Sequence, residues 1–229
     1  MTFPTTRGSV VLALASDDEA ERARAFATVV ELYWRPLYKY ARLAHTRAPV
    51  EAEDLTQSFL TRVLEKDALA AYDAGRGGFR AFLRTMFDRH VANEVKAAYR
   101  MKRGGGAARV DFESAEAEIP ADRGRVRTPE EYFQSEWIRC VFALAIERLR
   151  AKIRSDDFDL FEAYDLDDAA RPSYRDLAER FALPVTTVTN RLAAARRRFR
   201  ETVLEILREA TATDREYRSE VRALLGVDL

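Results

Sequence analysis

Apolar residues recur through most of the chain at the three- and four-residue spacing of an amphipathic α-helix. No segment alternates β-branched and polar residues between turn signals, so no β-strand is predicted. The first long helix follows residues 16–18, whose side chains can cap it, and Pro36 lies within its span as a candidate kink. One side of this helix carries Phe26, Val29, Tyr33, Leu37 and Tyr40. The pattern predicts an all-α fold.

A second helix is predicted over roughly 53–66, after Pro49 and a short lead-in. Its polar residues Asp54, Gln57 and Thr61 lie away from an apolar stripe formed by Leu55, Phe59 and Val63. A third helical stretch follows over 79–101, and its apolar face turns by more than a quarter of the helix circumference midway. That shift predicts a break or bend within residues 87–90.

The second half of this stretch carries basic residues at i, i+4 and i+7, opposite the apolar face. They are Lys96, Arg100 and Arg103, and Arg89 falls on the same line if the helix is continuous. Such a stripe can follow a phosphate backbone. A basic, glycine-rich loop precedes the helix at 75–78, and aromatic residues that could stack on unpaired bases lie around it. The segment fits nucleic-acid binding, and an ordinary amphipathic helix remains the alternative.

A sharper pattern occupies residues 174–207. A short amphipathic helix is predicted over 174–181 with Ser173 as its N-cap, followed by a turn at 182–185 and a long helix from Thr186 or Thr187. The inward line of the long helix is Val188, Leu192, Ala195, Phe199, Val203 and Ile206. Two helices joined by a tight turn, the second one basic, form the helix-turn-helix pattern. A helical hairpin with a solvated arginine face is the alternative.

Glycine marks the division of the chain, because seven of the nine glycines lie between residues 75 and 124. The triplet at 104–106 opens a polar, acidic stretch, and the next helix has a clear start at Thr128 and Pro129. The predicted organisation is a first domain over 1–103, a flexible linker over 104–127 and a second domain over 128–229, which includes a C-terminal helix.

Composition narrows the functional classes. Lys plus Arg and Asp plus Glu are equal at 38, yet the charges are segregated into acidic and basic blocks that suggest separate partner surfaces. The two histidines, His45 and His90, have no ligand-spaced partners, and no nucleophile or phosphate-loop motif occurs, so neither enzyme activity nor a metal or cofactor is expected. The single cysteine, Cys140, is expected to be a buried apolar side chain. No apolar run approaches membrane-spanning length, which favours a cytoplasmic protein without a membrane partner.

Three motifs in the same order and spacing resemble the extracytoplasmic-function sigma factors of bacterial RNA polymerase. Residues 51–60, EAEDLTQSFL, resemble region 2.2, and residues 79–84, FRAFLR, with their basic continuation resemble regions 2.3 and 2.4. Residues 174–178 together with 187–192 resemble region 4.2. Residues 3–7, FPTTR, and the stretch YWRPLY from Tyr33 resemble one large-genome subgroup of that family.

The resemblance implies a transcription initiation factor whose partners are core RNA polymerase, through its clamp and flap regions, and promoter DNA. An anti-sigma factor or another regulator is a further candidate partner. The clamp-facing residues implied are Glu53, Asp54, Gln57 and Thr61. The residues implied for the melted −10 strand are Arg76, Phe79, Arg80, Phe82, Arg89, Lys96, Arg100 and Arg103. The residues implied for the −35 duplex are Thr186, Thr187, Asn190, Arg191, Arg197 and Arg198.

Two other functions stay open at this point. A stand-alone helix-turn-helix regulator would use the 174–207 segment alone and leave the 51–60 and 79–103 segments without a role. A sigma-like decoy would bind core polymerase without directing transcription. Binding to core polymerase separates the sigma factor from the regulator, and promoter-dependent transcription separates it from the decoy.

Overall fold

The computed structural model describes residues 9–65, 69, 71–101, 128–167 and 172–227, with only the backbone for 98–101. Its regular structure is all-α, as predicted, and the described residues contain no β-strand. The helices are α1 (Val10–Ala13), α2 (Glu19–Ala44), α3 (Pro49–Val63), α4 (Phe79–Met101), α5 (Pro129–Lys152), α6 (Ser155–Phe161), α7 (Tyr174–Arg180), α8 (Val185–Glu209) and α9 (Asp214–Leu225). A π-helical turn, Glu162–Leu166, extends α6.

The chain forms two compact units, and their boundaries differ from those of the predicted domains. Unit 1 comprises residues 1–140 and 208–229, and unit 2 comprises residues 141–207. The first half of α5 and all of α9 therefore cluster with the N-terminal helices, whereas the sequence assigned both to the second domain. The predicted linker over 104–127 and the motif at 3–7 lie outside the described residues.

Unit 1 has an aromatic core. The rings of Phe59 in α3 and Phe87 in α4 meet edge to face at 5.1 Å, and Tyr40 of α2 contacts Phe133 of α5 at 5.7 Å. Phe133 and Trp137 are both buried, which explains why the start of α5 clusters with unit 1. Cys140 is buried and unpaired as expected, and burial raises the pKa of its thiol to about 11.

Unit 1 also contains a buried ion pair. The Lys39 ammonium of α2 donates to Glu136 Oε2 of α5 at 2.7 Å, and both side chains are almost completely shielded from solvent. Arg139, one turn further along α5, lies 2.5 Å from the other oxygen of Glu136. Removing one member would leave the other charge in a site with little water, so the pair fixes α5 against α2.

Helix α4 is continuous from Phe79 to Met101, which rules out the break predicted within residues 87–90, while the alternative of a bend there stays a prediction. Its buried residues are Phe79, Leu83, Phe87, His90 and Val91. These residues follow each other at three- and four-residue steps around one slowly turning face. Periodicity alone suggested a break because it omitted His90, a polar residue that nevertheless packs inward and shares a 2.9 Å hydrogen bond with Ser58 of α3.

Unit 2 is built around α6, α7 and α8. One cluster joins Leu160 and Ala163 to Leu177 of α7 and to Val188 and Leu192 of α8. A second cluster joins Leu149, Phe158, Phe161 and Ala195. The inward line predicted for α8 is confirmed, with Phe199 half-buried and the other five residues buried. The acidic segment over 155–167 thus supplies apolar residues to both clusters.

Candidate nucleic-acid interface

The helix-turn-helix segment of unit 2 has well-defined local geometry. Ser173 caps α7 in a capping box: its Oγ accepts from the Asp176 N–H at 3.2 Å, and Asp176 Oδ2 accepts from the Ser173 N–H at 2.8 Å. The turn after α7 places Ala182 at φ 51°, and the Leu183 N–H donates to Ala178 O at 2.9 Å. Pro184 O then accepts from the N–H groups of Thr187 and Val188 as α8 begins.

The buried side of this segment fixes which residues α8 presents outward. Leu177 and Val188 are completely buried, and Leu192 nearly so. Thr186 and Asn190 therefore lie exposed on the opposite side of the first turns of α8, and Thr187 is half-buried. A hydroxyl and a carboxamide at the start of such a helix are groups that hydrogen-bond base edges in a major groove.

The basic residues of α8 differ in how they are held. Arg191 is half-buried, and its Nη1 lies 3.4 Å from Asp157 Oδ1 on α6. Arg197 is exposed, and Arg198 is exposed with its guanidinium 2.9 Å from Glu201. Charged groups this far along the helix suit phosphate contacts rather than base contacts.

Arg196 is a structural residue that the sequence did not single out within the arginine run. Its Nε and Nη2 each lie 2.9 Å from one oxygen of Asp165, and its guanidinium covers the ring of Tyr164 at 5.0 Å. The bidentate bond raises the pKa of Arg196, and hydrogen bonding to Arg196 lowers the pKa of Tyr174. In the sequence, Tyr164 directly precedes Asp165 within the acidic segment over 155–167. This pair of an aromatic residue and an aspartate is the sequence signal that could have identified the partners of Arg196.

The predicted polymerase-binding residues of unit 1 lie together on α3. Asp54, Gln57 and Thr61 are exposed, and Glu53 is partly exposed and accepts from Gln57 Nε2 at 3.3 Å. The opposite face of α3 is buried through Ala52, Thr56, Phe59, Leu60 and Val63. The helix is thus anchored on one face and leaves an acidic, hydrogen-bonding face available to a partner.

The loop before α4 is held by Asp73. Its Oδ1 accepts from the Gly75 N–H at 2.8 Å, and its Oδ2 lies 3.3 Å from Arg76 Nε. Arg76 itself is almost fully exposed, at 89% of its side-chain area. Of the residues predicted to contact the single strand, Arg76 is the one that lies in this loop, and its side chain faces solvent.

The next three predicted residues are engaged by the protein itself. The Phe79 ring is buried and contacts Tyr33 at 5.9 Å and Tyr72 at 5.5 Å, so it belongs to the core and cannot stack on a base as placed. Phe82 is half-buried against Tyr72 at 5.1 Å. The Arg80 guanidinium lies 4.4 Å above the Trp137 ring and pairs with Glu220 of α9 at 3.0 Å.

Further along α4 the basic positions are exposed. Arg89 and Lys96 lie on the solvent side of the helix, two turns apart. Arg100 is within the helix, and its side chain is not among those described; Arg103 lies outside the described residues. Because α4 is continuous, Arg89 shares a line with Lys96 along its surface, as the sequence required for a single stripe.

Neither histidine forms part of a metal cluster among the described residues. His45 Nε2 lies 2.9 Å from Asp88 Oδ1, and His90 shares a hydrogen bond with Ser58.

Within the described part of the chain, no helix is long and apolar enough to span a bilayer. Comparison with models of known protein families and with curated proteins found no match to this chain.

Proposed function

We propose that the protein is a sigma factor, which directs core RNA polymerase to specific promoters and is not itself an enzyme. The observation that carries this proposal is the helix-turn-helix of unit 2, whose second helix presents Thr186 and Asn190 outward from a buried base. In this proposal the two residues read base edges of the −35 duplex. Thr187 and Arg191 flank them, and Arg197 and Arg198 contact phosphates.

A second set of observations favours a sigma factor over a stand-alone regulator. Unit 1 carries the exposed acidic face of α3 and the basic line of α4, neither of which a helix-turn-helix regulator needs. The α3 face, with Asp54 and Gln57 at its centre, is proposed to bind the polymerase clamp. The loop at 75–78 and the outer face of α4 are proposed to bind the melted strand of the −10 element.

The proposed partners are those that the family resemblance implies. They are core polymerase at its clamp and flap regions, promoter DNA, and a regulator such as an anti-sigma factor. No cofactor is proposed. A factor that works on the chromosome through core polymerase would act in the cytoplasm.

The decisive test is run-off transcription from a genomic promoter pool with purified core polymerase, with and without this protein. Discrete starts that need the protein are the expected result, and their upstream sequences would define the two promoter elements. Clean binding to core without new starts would favour a decoy. Neither core binding nor new starts would leave the helix-turn-helix regulator as the better account.

Two variants assign the surfaces once starts are seen. Replacing Asp54 and Gln57 together by Ala should weaken core binding while leaving duplex binding intact, because both residues lie on the exposed face of α3. Replacing Thr186 and Asn190 together by Ala should do the reverse. A pair of exposed α2 substitutions, Glu19→Gln with Glu31→Gln, is the control for solvent-facing polar changes in unit 1.

A further inference from the structure

The C-terminal helix α9 lies against the loop and helix end that the proposed function assigns to the melted strand. Glu216 Oε1 of α9 accepts from the Phe79 N–H at 2.6 Å, at the first residue of α4. Its other oxygen accepts from the Ala212 N–H at 2.9 Å, which fixes the carboxylate in place. A long helix presents unpaired N–H groups and partial positive charge at its first turn, where an anion is favoured. A carboxylate of the chain itself occupies that position.

A second carboxylate of α9 neutralises the nearest arginine. The Arg80 Nη1 and Nη2 atoms lie 3.0 Å from the Glu220 Oε2 and Oε1 atoms, so the pair is bidentate. Both side chains are largely shielded from water. Burial raises the pKa of Glu220, against the opposing effect of Arg80, so this carboxylate is held in a site that disfavours its charge.

The loop before α4 is also engaged. Arg215 Nη2 donates to Gly75 O at 3.4 Å. A Cβ at Gly78 would lie 2.8 Å from Glu216 Oε1, so glycine permits the close approach of this carboxylate to the loop. Between the loop and α9 a cleft of about 350 Å³ remains, lined by Gly77, Gly78, Arg80, Thr213, Glu216 and Glu220.

The helix has the end signals of an independent element. Thr213 caps its start by accepting from the Glu216 N–H at 3.2 Å, and Gly226 closes its end in the left-handed conformation at φ 66°. Its attachment to the loop and to the start of α4 runs through polar contacts, with Tyr217 and Val221 as its buried apolar residues. The charge-assisted bonds that Glu216 and Glu220 form can be replaced by those of another anion that reaches the same donors.

We infer that α9 is an autoinhibitory clasp, in which Glu216 and Glu220 occupy the positions of two strand phosphates and must leave before single-stranded DNA binds unit 1. This inference rests on the proposed function for the identity of the strand. It assigns Arg80 and the Phe79 N–H a role as the shared site for which α9 and DNA compete.

The test compares single-strand affinity of the full-length chain by fluorescence anisotropy with a fluorescein-labelled, mixed-sequence single-stranded oligonucleotide. The variant replaces both carboxylates, Glu216→Gln with Glu220→Gln, which keeps side-chain size, removes both charges and leaves each side chain one acceptor oxygen in place of two. The control makes the same charge change at two exposed sites of unit 1, Glu19→Gln with Glu31→Gln. Releasing a clasp that leaves a minority of molecules open should tighten binding by about tenfold in the first variant only. Equal affinities in the two double variants, or no binding by either, would overturn the inference.

Hydrogen exchange of the unmodified protein decides the question if the variant does not fold. Adding the oligonucleotide should speed amide exchange in residues 214–225 while slowing it in residues 75–84. Unchanged or slower exchange in 214–225 would mean that α9 stays in place when DNA binds, which contradicts the clasp. Neither experiment contains polymerase, so they read out the clasp separately from the run-off assay that tests the sigma-factor proposal.

Discussion

The two units present their proposed DNA-binding residues in opposite conditions. In unit 2, Thr186 and Asn190 are exposed at the start of a helix whose inner face is fully packed. In unit 1, Phe79 is buried, and the Arg80 guanidinium and the Phe79 N–H are bonded to carboxylates of α9. A surface that reads duplex DNA can be rigid, because the bases stay paired with each other while their edges are read in the groove. A surface that holds unpaired bases can also bind unrelated single strands. A state in which that surface is covered prevents such binding.

The largest expected effect comes from comparing a buried ion pair of unit 1 with an exposed ion pair of unit 2. Replacing Lys39 by Met removes the ammonium group from the buried Glu136 carboxylate, which keeps Arg139 beside it, and should lower the free energy of unfolding by about 3 kcal/mol. The protein's two tryptophans, Trp34 and Trp137, both belong to unit 1, so urea unfolding followed by tryptophan fluorescence measures this change.

The matched control is the same substitution in unit 2. The Lys152 ammonium pairs with Glu205 at 2.5 Å, but both side chains are more than 40% exposed. Lys152→Met should therefore change the free energy of unfolding by less than about 1 kcal/mol, measured by circular dichroism. Equal costs for the two lysines would mean that the buried pair contributes no more than a surface pair.

The second prediction tests whether the exposed side chains of α8 in unit 2 recognise the base sequence of duplex DNA. Asn190→Ala should lose about 1–3 kcal/mol of discrimination at one base pair of the −35 element, without loss of thermal stability, because the side chain is exposed. Arg197→Ala should instead weaken binding to all duplex sequences and reduce the dependence of affinity on salt. Competition binding with single-base variants of a selected promoter measures both. A uniform loss for Asn190→Ala would remove it from base reading.

The sequence predicted unit 2 better than unit 1, and the reason is physical. Most of the helix-turn-helix is specified locally: Ser173 caps its helix through Asp176, and the inward line of α8 follows from helical periodicity. In unit 1 the decisive contacts join residues far apart in the chain, such as Phe79 with Glu216 and Lys39 with Glu136. No spacing rule reveals those partners. A basic segment was therefore predicted correctly as a helix, while the engagement of Phe79 and Arg80 could not be foreseen.

The third prediction compares the two capping boxes. Ser173→Ala removes the acceptor for the Asp176 N–H of α7, a helix of 7 residues, and should cost about 1 kcal/mol together with a loss of duplex affinity. Thr128 makes the equivalent bonds with Glu131 at the start of α5, a helix of 24 residues. Thr128→Ala should fray only the first turn and leave duplex affinity unchanged. Thermal melting and duplex binding of both variants check this, and a loss of duplex affinity in Thr128→Ala would contradict it.

The smallest effect is a pH dependence within unit 1. Burial lowers the pKa of His90 below its ordinary 6.5, with Arg62 acting in the same direction and Glu94 against it. The unfolded chain then binds the proton more readily than the folded chain. Stability is therefore fully present above pH 6.5 and falls as the pH drops from 6.5 through the lower folded-state value.

Urea midpoints from tryptophan fluorescence across this range should show the fall, and His90→Gln, which can still hydrogen-bond Ser58, should flatten it. The comparison residue is His45, which is half-buried beside Asp88 rather than enclosed by the core. His45→Gln should leave the slope attributed to His90 in place. If the His45 substitution flattens the curve and the His90 substitution does not, then the enclosed position of His90 is not the source of the acid sensitivity.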